Sequence, residues 1–475
     1  MAKKGFDIHD TTKSIPHLIF LLAWPVFLEQ ILTTLVHYAD TAMVGQLGKN
    51  ATSSVTISNT PMFLLNAVVM ALGMGVTTMI AQATGARDSD LVRRLEKHAV
   101  LIIIFIGIPI TAIMIALHRV IPIWMGAPAE ILDTAANYNL IVACGRIFMV
   151  ISMVLNSAFR GYGDTKTPMK INMTMNVVNI VGNFFLINET QERTIFGKDI
   201  VTPGAGWGVE GAAAATAFSM MVAGIIAILV LYRRKNEYRL TLHESYRPEK
   251  ELCQKIFRIS LPAMLERICM SSAGMFVTRS VATLGTTAIA SNSLSLTAES
   301  ISYMPAFSFQ TAATTLVGQC VGAGKPDRGH EFIRHCLIIA TAIMAVTTVL
   351  LYIFSPQLLR FFTPDPDVID LGSQCLRVMA FIQIPQAICW IYTGGLRGAG
   401  DTKMVFYITA ITTWGVRTLW SILCIRVFGF GVVSIHWVMV AEIMVRLVLV
   451  YLRYRSGKWK TMNFVAGGKT AASGS

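Results

Sequence analysis

Along this chain, apolar runs of about 20 residues, the length needed to cross a bilayer, alternate with short polar stretches. Twelve runs predict helices, at residues 17–40, 52–82, 98–117, 131–156, 169–187, 208–232, 258–282, 286–320, 334–354, 370–393, 404–428 and 431–453. The second and eighth are too long for one crossing, so parts of them are expected outside the bilayer. The first run contains Pro25, Glu29, Gln30 and Asp40, lacks a small-residue cleavage site and leads straight into another apolar run. It reads as a spanning helix, not as a cleaved signal.

The pattern repeats itself at a spacing of 237 residues. Pro25 falls on Pro262, Glu29 on Glu266, Gln82 on Gln319, Gly85 on Gly322, and FRGYGDTKTPM (159–169) on LRGAGDTKMVF (396–406). An extra outer loop near residues 188–202 breaks the register, after which Gly208 and Val209 match Gly431 and Val432 at an offset of 223. Two homologous six-span lobes are therefore expected, at 1–232 and 258–460, joined by a polar, basic connector at 233–257 and followed by a disordered tail at 461–475. Six is even, so the repeats run parallel about an axis along the membrane normal, the arrangement of carriers that rock one bundle against another. A duplicated scaffold without transport is the alternative.

Composition agrees with the pattern. Hydrophobic residues are 54% of the chain, charged residues 14%, and mean hydropathy is +0.57, which excludes a soluble domain and gives an all-α integral membrane protein. The formal charge of +13 suggests nucleic acid until its distribution is considered. With the amino terminus in the cytoplasm, 28 of the 40 Lys and Arg lie in cytoplasmic segments, the positive-inside asymmetry. The basic excess thus reports topology and contact with anionic lipid, and no nucleic-acid partner is expected. Both termini are expected in the cytoplasm. The eight cysteines form no CxxC pair and mostly lie in apolar runs, so they read as small buried hydrophobes. The 25 methionines suit a pocket that repacks, but in so apolar a chain they read first as core.

The duplicated GDTK loops are not phosphate loops, because the GxxxxGK[ST] spacing and the preceding strand are missing. Their glycines permit tight turns, Asp164 and Asp401 are expected to cap the following helices, and their Arg and Lys to anchor the loops at the inner surface. A charge near mid-bilayer costs roughly 2.5 to 3.5 kcal/mol, so intramembrane ionisable groups need partners or a function. Asp40 has no cation nearby in sequence and reads as functional. Glu29 and Glu266 are repeat equivalents, whereas Glu299 and Glu442 occur only in the second half. Local pairs are expected for Glu266 with adjoining Arg267, and for Glu442 with Arg446 one turn on. Asn172, Asn176, Asn179 and Asn183 share one helical face; they either join helices or bind a cation or a polar substrate group. Arg417 and Trp414 read as a gate or an interlobe tie. No nucleophile and base, metal-ligand cluster or cofactor motif points to an enzyme.

The stretch LAWPVFLEQILTTLVHYADTAMVGQLG, the GDTK loop in both halves, GWGVEGAAAAT (206–216) and the six-plus-six repeat together resemble the multidrug and toxic compound extrusion (MATE) family, over about Ser14 to Lys460. The resemblance implies a V-shaped pair of six-helix lobes that export organic, often cationic or aromatic, compounds against inward H⁺ or Na⁺. It implies a cation-coupling set of Asp40, Asn179, Asn183, Thr216 and Glu266, with Na⁺, if that is the ion, near Asp40 or Glu266 and no cofactor. Asn183 stands where members often carry aspartate, which leaves one titratable group fewer. Substrate-binding candidates are Asp40, Asn176, Asn179, Gln383, Trp414 and Arg417. Expected partners are small organic cations and membrane lipids, for a monomer in a bacterial inner membrane. The alternatives are a flippase of lipid-linked precursors from the same superfamily, which would be expected to place several Arg or Lys in the cleft where this chain has five basic residues within spans, and a passive channel.

Overall fold

A computed structural model describes residues 8, 14–195, 198–234, 240 and 246–465. Each of the twelve expected spans lies on helix. The first lobe comprises α1 (Ile15–Gly45), α2 (Lys49–Gly85), α3 (Ser89–Ala116), α4 (Ala129–Gly161), α5 (Lys166–Ile187) and α6 (Gly208–Arg233). The second comprises α7 (Lys250–Ala282), α8 (Thr286–Ser302), α9 (Met304–Gly322), α10 (Pro326–Ile353), α11 (Pro366–Ala380), α12 (Gln383–Ala399), α13 (Thr402–Arg426) and α14 (Val433–Arg455). The expected eighth and tenth spans are each two helices. One breaks at Tyr303, just before Pro305, and the other bends by 49° between α11 and α12. Among the described residues eight helices are long and apolar enough to cross a membrane, or nine with the bent pair as one. The asparagines of α5 and the charges of α7 hold those helices below that level of apolarity.

Small residues let the helices approach within backbone contact, as in membrane bundles generally. A Cβ on Gly145 of α4 would meet the Cα of Ala217 of α6 at 2.8 Å, and one on Gly211 of α6 would meet the carbonyl of Leu186 at 2.4 Å. The first half of α1 buries Leu18, Ile19, Leu22 and Ala23 among residues of the second lobe, including Phe309 and Leu316 of α9. The first half of α1 is therefore a strut between the lobes.

Four expectations change. The extra outer loop is a β-hairpin of β1 (Glu189–Ile195) and β2 (Lys198–Ala205), paired antiparallel. The connector is shorter than 233–257, because α7 starts at Lys250; residues 235–239 and 241–245 lie outside the described residues. Its end is tied to α3 by the Arg94–Glu249 ion pair and by the Glu249 amide donating to Nε2 of His98 at 2.9 Å. The tail expected from residue 461 is packed as far as Val465, and 466–475 lie outside the described residues. All eight cysteines are free, but only Cys320, Cys336, Cys375 and Cys389 are buried; Cys144 and Cys253 are exposed.

Candidate functional site

The fold brings four of the sequence-predicted residues together near the end of the first lobe remote from the GDTK loops. Asp40 lies near the carboxyl end of α1, Asn179 and Asn183 one turn apart on α5, and Thr216 on α6. Nδ2 of Asn183 donates to Oδ1 of Asp40 at 2.6 Å. The amide of Asn179 is oriented by its neighbours: its nitrogen donates to both Asp40 oxygens at 2.8 and 3.0 Å, and its oxygen accepts from the Thr216 hydroxyl at 3.3 Å. Helical spacing explains the convergence, since positions four apart stack on one face.

Among the described residues Asp40 has no cationic partner; amide and hydroxyl dipoles surround it instead. The buried Oδ1 of Asn183 and Nδ2 of Asn176 have no hydrogen-bond partner among the described residues. Unpaired buried polar atoms are uncommon and call for a ligand, an ion or water. Such a pocket of one carboxylate and several neutral oxygens suits a proton or a hard monovalent cation. Tyr138, hydrogen-bonded to Asn59, also lies within electrostatic reach of Asp40. Sequence reasoning missed both, because neither sits in a motif or at a telling spacing.

The other intramembrane carboxylates are held differently. Oε1 of Glu29 accepts from Arg160 at 2.6 Å and from Asn172 at 2.6 Å. Glu266 accepts from Arg397 at 2.7 and 2.8 Å and from Thr409 at 3.2 Å. Glu266 is therefore paired with the loop arginine and not with adjoining Arg267, and it stands apart from the Asp40 cluster. The loop arginines turn inward to these glutamates and do not anchor the inner surface. Asp164 caps α5 as expected, accepting from the Thr167 amide at 3.0 Å. Asp401 does not cap α13; Nε of Arg453 claims it at 2.6 Å. The asparagine face of α5 serves two places, with Asn172 at Glu29 and Asn179 and Asn183 at Asp40.

The substrate-binding candidates divide between the lobes. Asp40, Asn176 and Asn179 lie in the first. In the second, Gln383 donates to Glu299 at 3.3 Å and accepts from Ser302 at 3.0 Å, beside both helix breaks. Trp414 packs edge to face on Phe276, with ring centroids 5.4 Å apart. Trp414 and Arg417 fall in a π-helical turn, Thr412–Thr418, a local irregularity frequent at functional sites. Glu442 pairs with Arg446 as the spacing predicted, and Arg446 also donates to Thr412 and Thr413 at 3.0 and 2.8 Å. No group of three or more His, Cys, Asp or Glu among the described residues could hold a metal ion.

Comparison with known proteins follows the same lines. A family profile described as MatE matches twice, at residues 25–185 and 262–423, so both matches begin at the repeat-equivalent prolines. A protein of Thermotoga maritima named "Probable multidrug resistance protein NorM" is 31% identical over 440 residues, covering 92% of each chain. The "Uncharacterized transporter YisQ" of Bacillus subtilis is 26% identical over 441 residues, 93% of this chain and 94% of that one. A solved structure described as the outward-facing conformation of a multidrug resistance MATE family transporter superposes with a TM-score of 0.85 over 95% of this chain and 97% of that one. At 22% identity it shows the shared fold.

Proposed function

Because the chain belongs to the MATE family of multi-pass membrane transporters, we propose that it is a secondary active multidrug exporter, which moves organic, often cationic or aromatic, compounds out of the cell against inward H⁺ or Na⁺. The observation that carries this reading is Asp40, a carboxylate without a counter-charge among the described residues, held by Asn179 and Asn183 of α5, with Thr216 of α6 bonded to Asn179. A charge kept in that setting costs free energy, which marks the group as functional.

The cycle follows from that cost. Binding of the coupling ion at Asp40 removes the net charge and relaxes the amide contacts, which releases a cationic substrate sharing the carboxylate. Returning the ion to the cytoplasm restores the anion and the affinity for cargo. The ion drives the cycle only through its different affinity for the two conformations. In this reading Trp414 and Arg417 contribute to substrate binding from the second lobe, as does Gln383, buried here against Glu299 and Ser302, and Glu266 contributes to coupling through its link to Arg397. The chain functions as a monomer in a bacterial inner membrane with both termini cytoplasmic, and it takes no cofactor.

The test is efflux of a fluorescent organic cation from proteoliposomes under a pH gradient or a sodium gradient imposed separately, for wild type and Asp40→Asn. One gradient drives transport in wild type and neither does in the variant. Failure of both gradients to move any of several cations overturns the drug-antiport reading and makes lipid flipping the next assay.

A further inference from the structure

Arg160 and Gly161, and their equivalents Arg397 and Gly398, open the GDTK loops, called RG loops below; among the described residues every direct hydrogen bond between the two lobes lies toward that end, and none joins them near Asp40. Apart from a long bond from the Ser260 hydroxyl to the Leu72 carbonyl at 3.5 Å, the helix-to-loop bonds come in repeat-related pairs. The Thr78 hydroxyl donates to the Arg397 carbonyl at 3.0 Å, and that of Thr315 to the Arg160 carbonyl at 3.1 Å. Nε2 of Gln82 donates to the carbonyls of Ala399 and Gly398 at 3.1 and 3.4 Å, and that of Gln319 to the Gly161 carbonyl at 3.1 Å. A Cβ on Gly85 would lie 1.9 Å from the Gln319 carbonyl oxygen, and one on Gly322 would lie 1.9 Å from that of Gln82. The duplicated RG segment therefore has two tasks. Its guanidinium binds its own lobe's glutamate, and its carbonyls bind the other lobe.

The two kinds of contact differ in strength. The bonds within each lobe are charge-assisted, whereas those across the seam are neutral amide and hydroxyl bonds, individually weak. Two rigid bodies joined by a breakable seam is what a rocking pair requires.

One feature breaks the symmetry. Gln82, but not Gln319, also accepts from the Phe464 amide at 3.0 Å and donates to the Met462 carbonyl at 3.4 Å. The segment that carries them runs from a buried Trp459, whose indole donates to the Tyr454 carbonyl at 3.0 Å. Asn463 donates to the Val321 carbonyl at 3.2 Å. The Phe464 ring fills the space over Gly400 of the second RG loop, and Phe464 and Val465 pack against the core of the first lobe.

We propose that Gln82 and Gln319 are positioning residues of an inner gate closed in this structure, and that the carboxy-terminal segment 459–465 is a strap that locks the Gln82 side and must release before the lobes part. The proposal rests on the carrier reading above, in which the RG-loop end faces the cytoplasm. The strap makes equivalent residues unequal. Gln82→Ala frees both the loop and the strap, whereas Gln319→Ala frees a loop alone.

The experiment is hydrogen–deuterium exchange on the full-length protein in nanodiscs, read at loop segments 160–165 and 397–401, for each variant in the full chain and in a chain ending at Thr461. Gln82→Ala is expected to raise exchange at 160–165, a segment it does not touch, about fivefold for each hydrogen bond lost. Gln319→Ala is expected to raise exchange at 397–401 less, and the difference is expected to vanish in the shortened chain. Effects confined to the loop each glutamine contacts, or a difference that persists without the strap, overturn the proposal. Gly85→Ala, which forces the seam apart at the Gln319 carbonyl, supplies a second route if a glutamine variant does not fold. The readout needs no transport, so a latch that behaves as described in a protein that moves no cation separates this proposal from the antiport reading.

Discussion

The two lobes agree where they are built and differ where they bind. Glu29 meets Arg160 across 131 residues and Asn172 across 143; Glu266 meets Arg397 and Thr409 across the same two separations. Asp40 also reaches its partner Asn183 across 143 residues, but the equivalents of that pair in the second lobe are Val277 and Trp420. Asn179 corresponds to Val416, and Thr216 to Met439 at the shorter offset. In the other direction, Glu299 and Gln383 correspond to Met62 and Arg146, which are joined in the first lobe by a single bond from the guanidinium to the Met62 carbonyl at 3.3 Å. Duplication supplies two copies of every contact, so a contact kept in both lobes serves the shared architecture, and one kept in a single lobe marks what that lobe does alone.

The sharpest way to break this division is Asp40→Asn. Gradient-driven efflux should fall to the background of empty liposomes. The melting temperature should stay near wild type, because Asp40 has no buried cation to leave unpaired. Val277→Asp in that background should not restore transport, since the second lobe lacks the amides. Restoration would show that the position matters and not its surroundings.

The next largest effect belongs to the shared pairs. Glu29→Ala and Glu266→Ala each strand a guanidinium, that of Arg397 buried and that of Arg160 half-buried, at a cost of up to about 3 to 5 kcal/mol. The two losses should be similar when thermal unfolding is followed in detergent. A large loss for one and little for the other would mean that the lobes use the pair differently, and that the coupling role proposed for Glu266 is not shared by Glu29.

How much of this was legible in the sequence follows the same division. Hydropathy alone placed the spans, and self-comparison placed the lobes, because both signals are repeated many times along the chain. Helical spacing put Asn179 and Asn183 on one face, and the cost of an unpaired intramembrane carboxylate marked Asp40, but only the family resemblance grouped the three. The partners of Glu29 and Glu266 were not legible, because nothing in the sequence marks a contact across 131 residues, and Arg267 was the nearer cation. Asp401 looked like a cap as Asp164 did, and lost that role to Arg453, which has no counterpart reaching Asp164 among the contacts of the first lobe. Gln82 and Gln319 were visible as a repeat, but a glutamine in an apolar helix does not announce that it faces the other lobe.

A smaller effect tests the symmetry of the seam. Gly85→Ala and Gly322→Ala each place a methyl 1.9 Å from a backbone carbonyl oxygen, an atom that cannot swing aside. Overpacking of that kind costs about 1 to 3 kcal/mol. Both variants should lower the thermal unfolding midpoint by similar amounts while leaving the Asp40 site intact. Unequal shifts would extend the strap's influence from Gln82 to the glycines.

The smallest effect is the most specific. Thr216 touches neither Asp40 oxygen; its hydroxyl donates to Asn179 and so holds that amide with its nitrogen toward the carboxylate. Those N–H groups occupy lone pairs that an incoming proton or sodium ion must share. Thr216→Val removes one neutral hydrogen bond, worth about 0.5 to 1.5 kcal/mol, and lets the amide turn away. The carboxylate then binds the coupling ion more readily, and half-maximal efflux should be reached at roughly two- to tenfold lower ion concentration. Met439→Thr, the reverse exchange in the second lobe, should leave that concentration unchanged, because no asparagine stands at Val416 to be oriented. If both substitutions shifted it, coupling would be shared by the lobes; if only the first did, the ion site would lie with Asp40, in the half where the duplicated framework has been given its own polar residues.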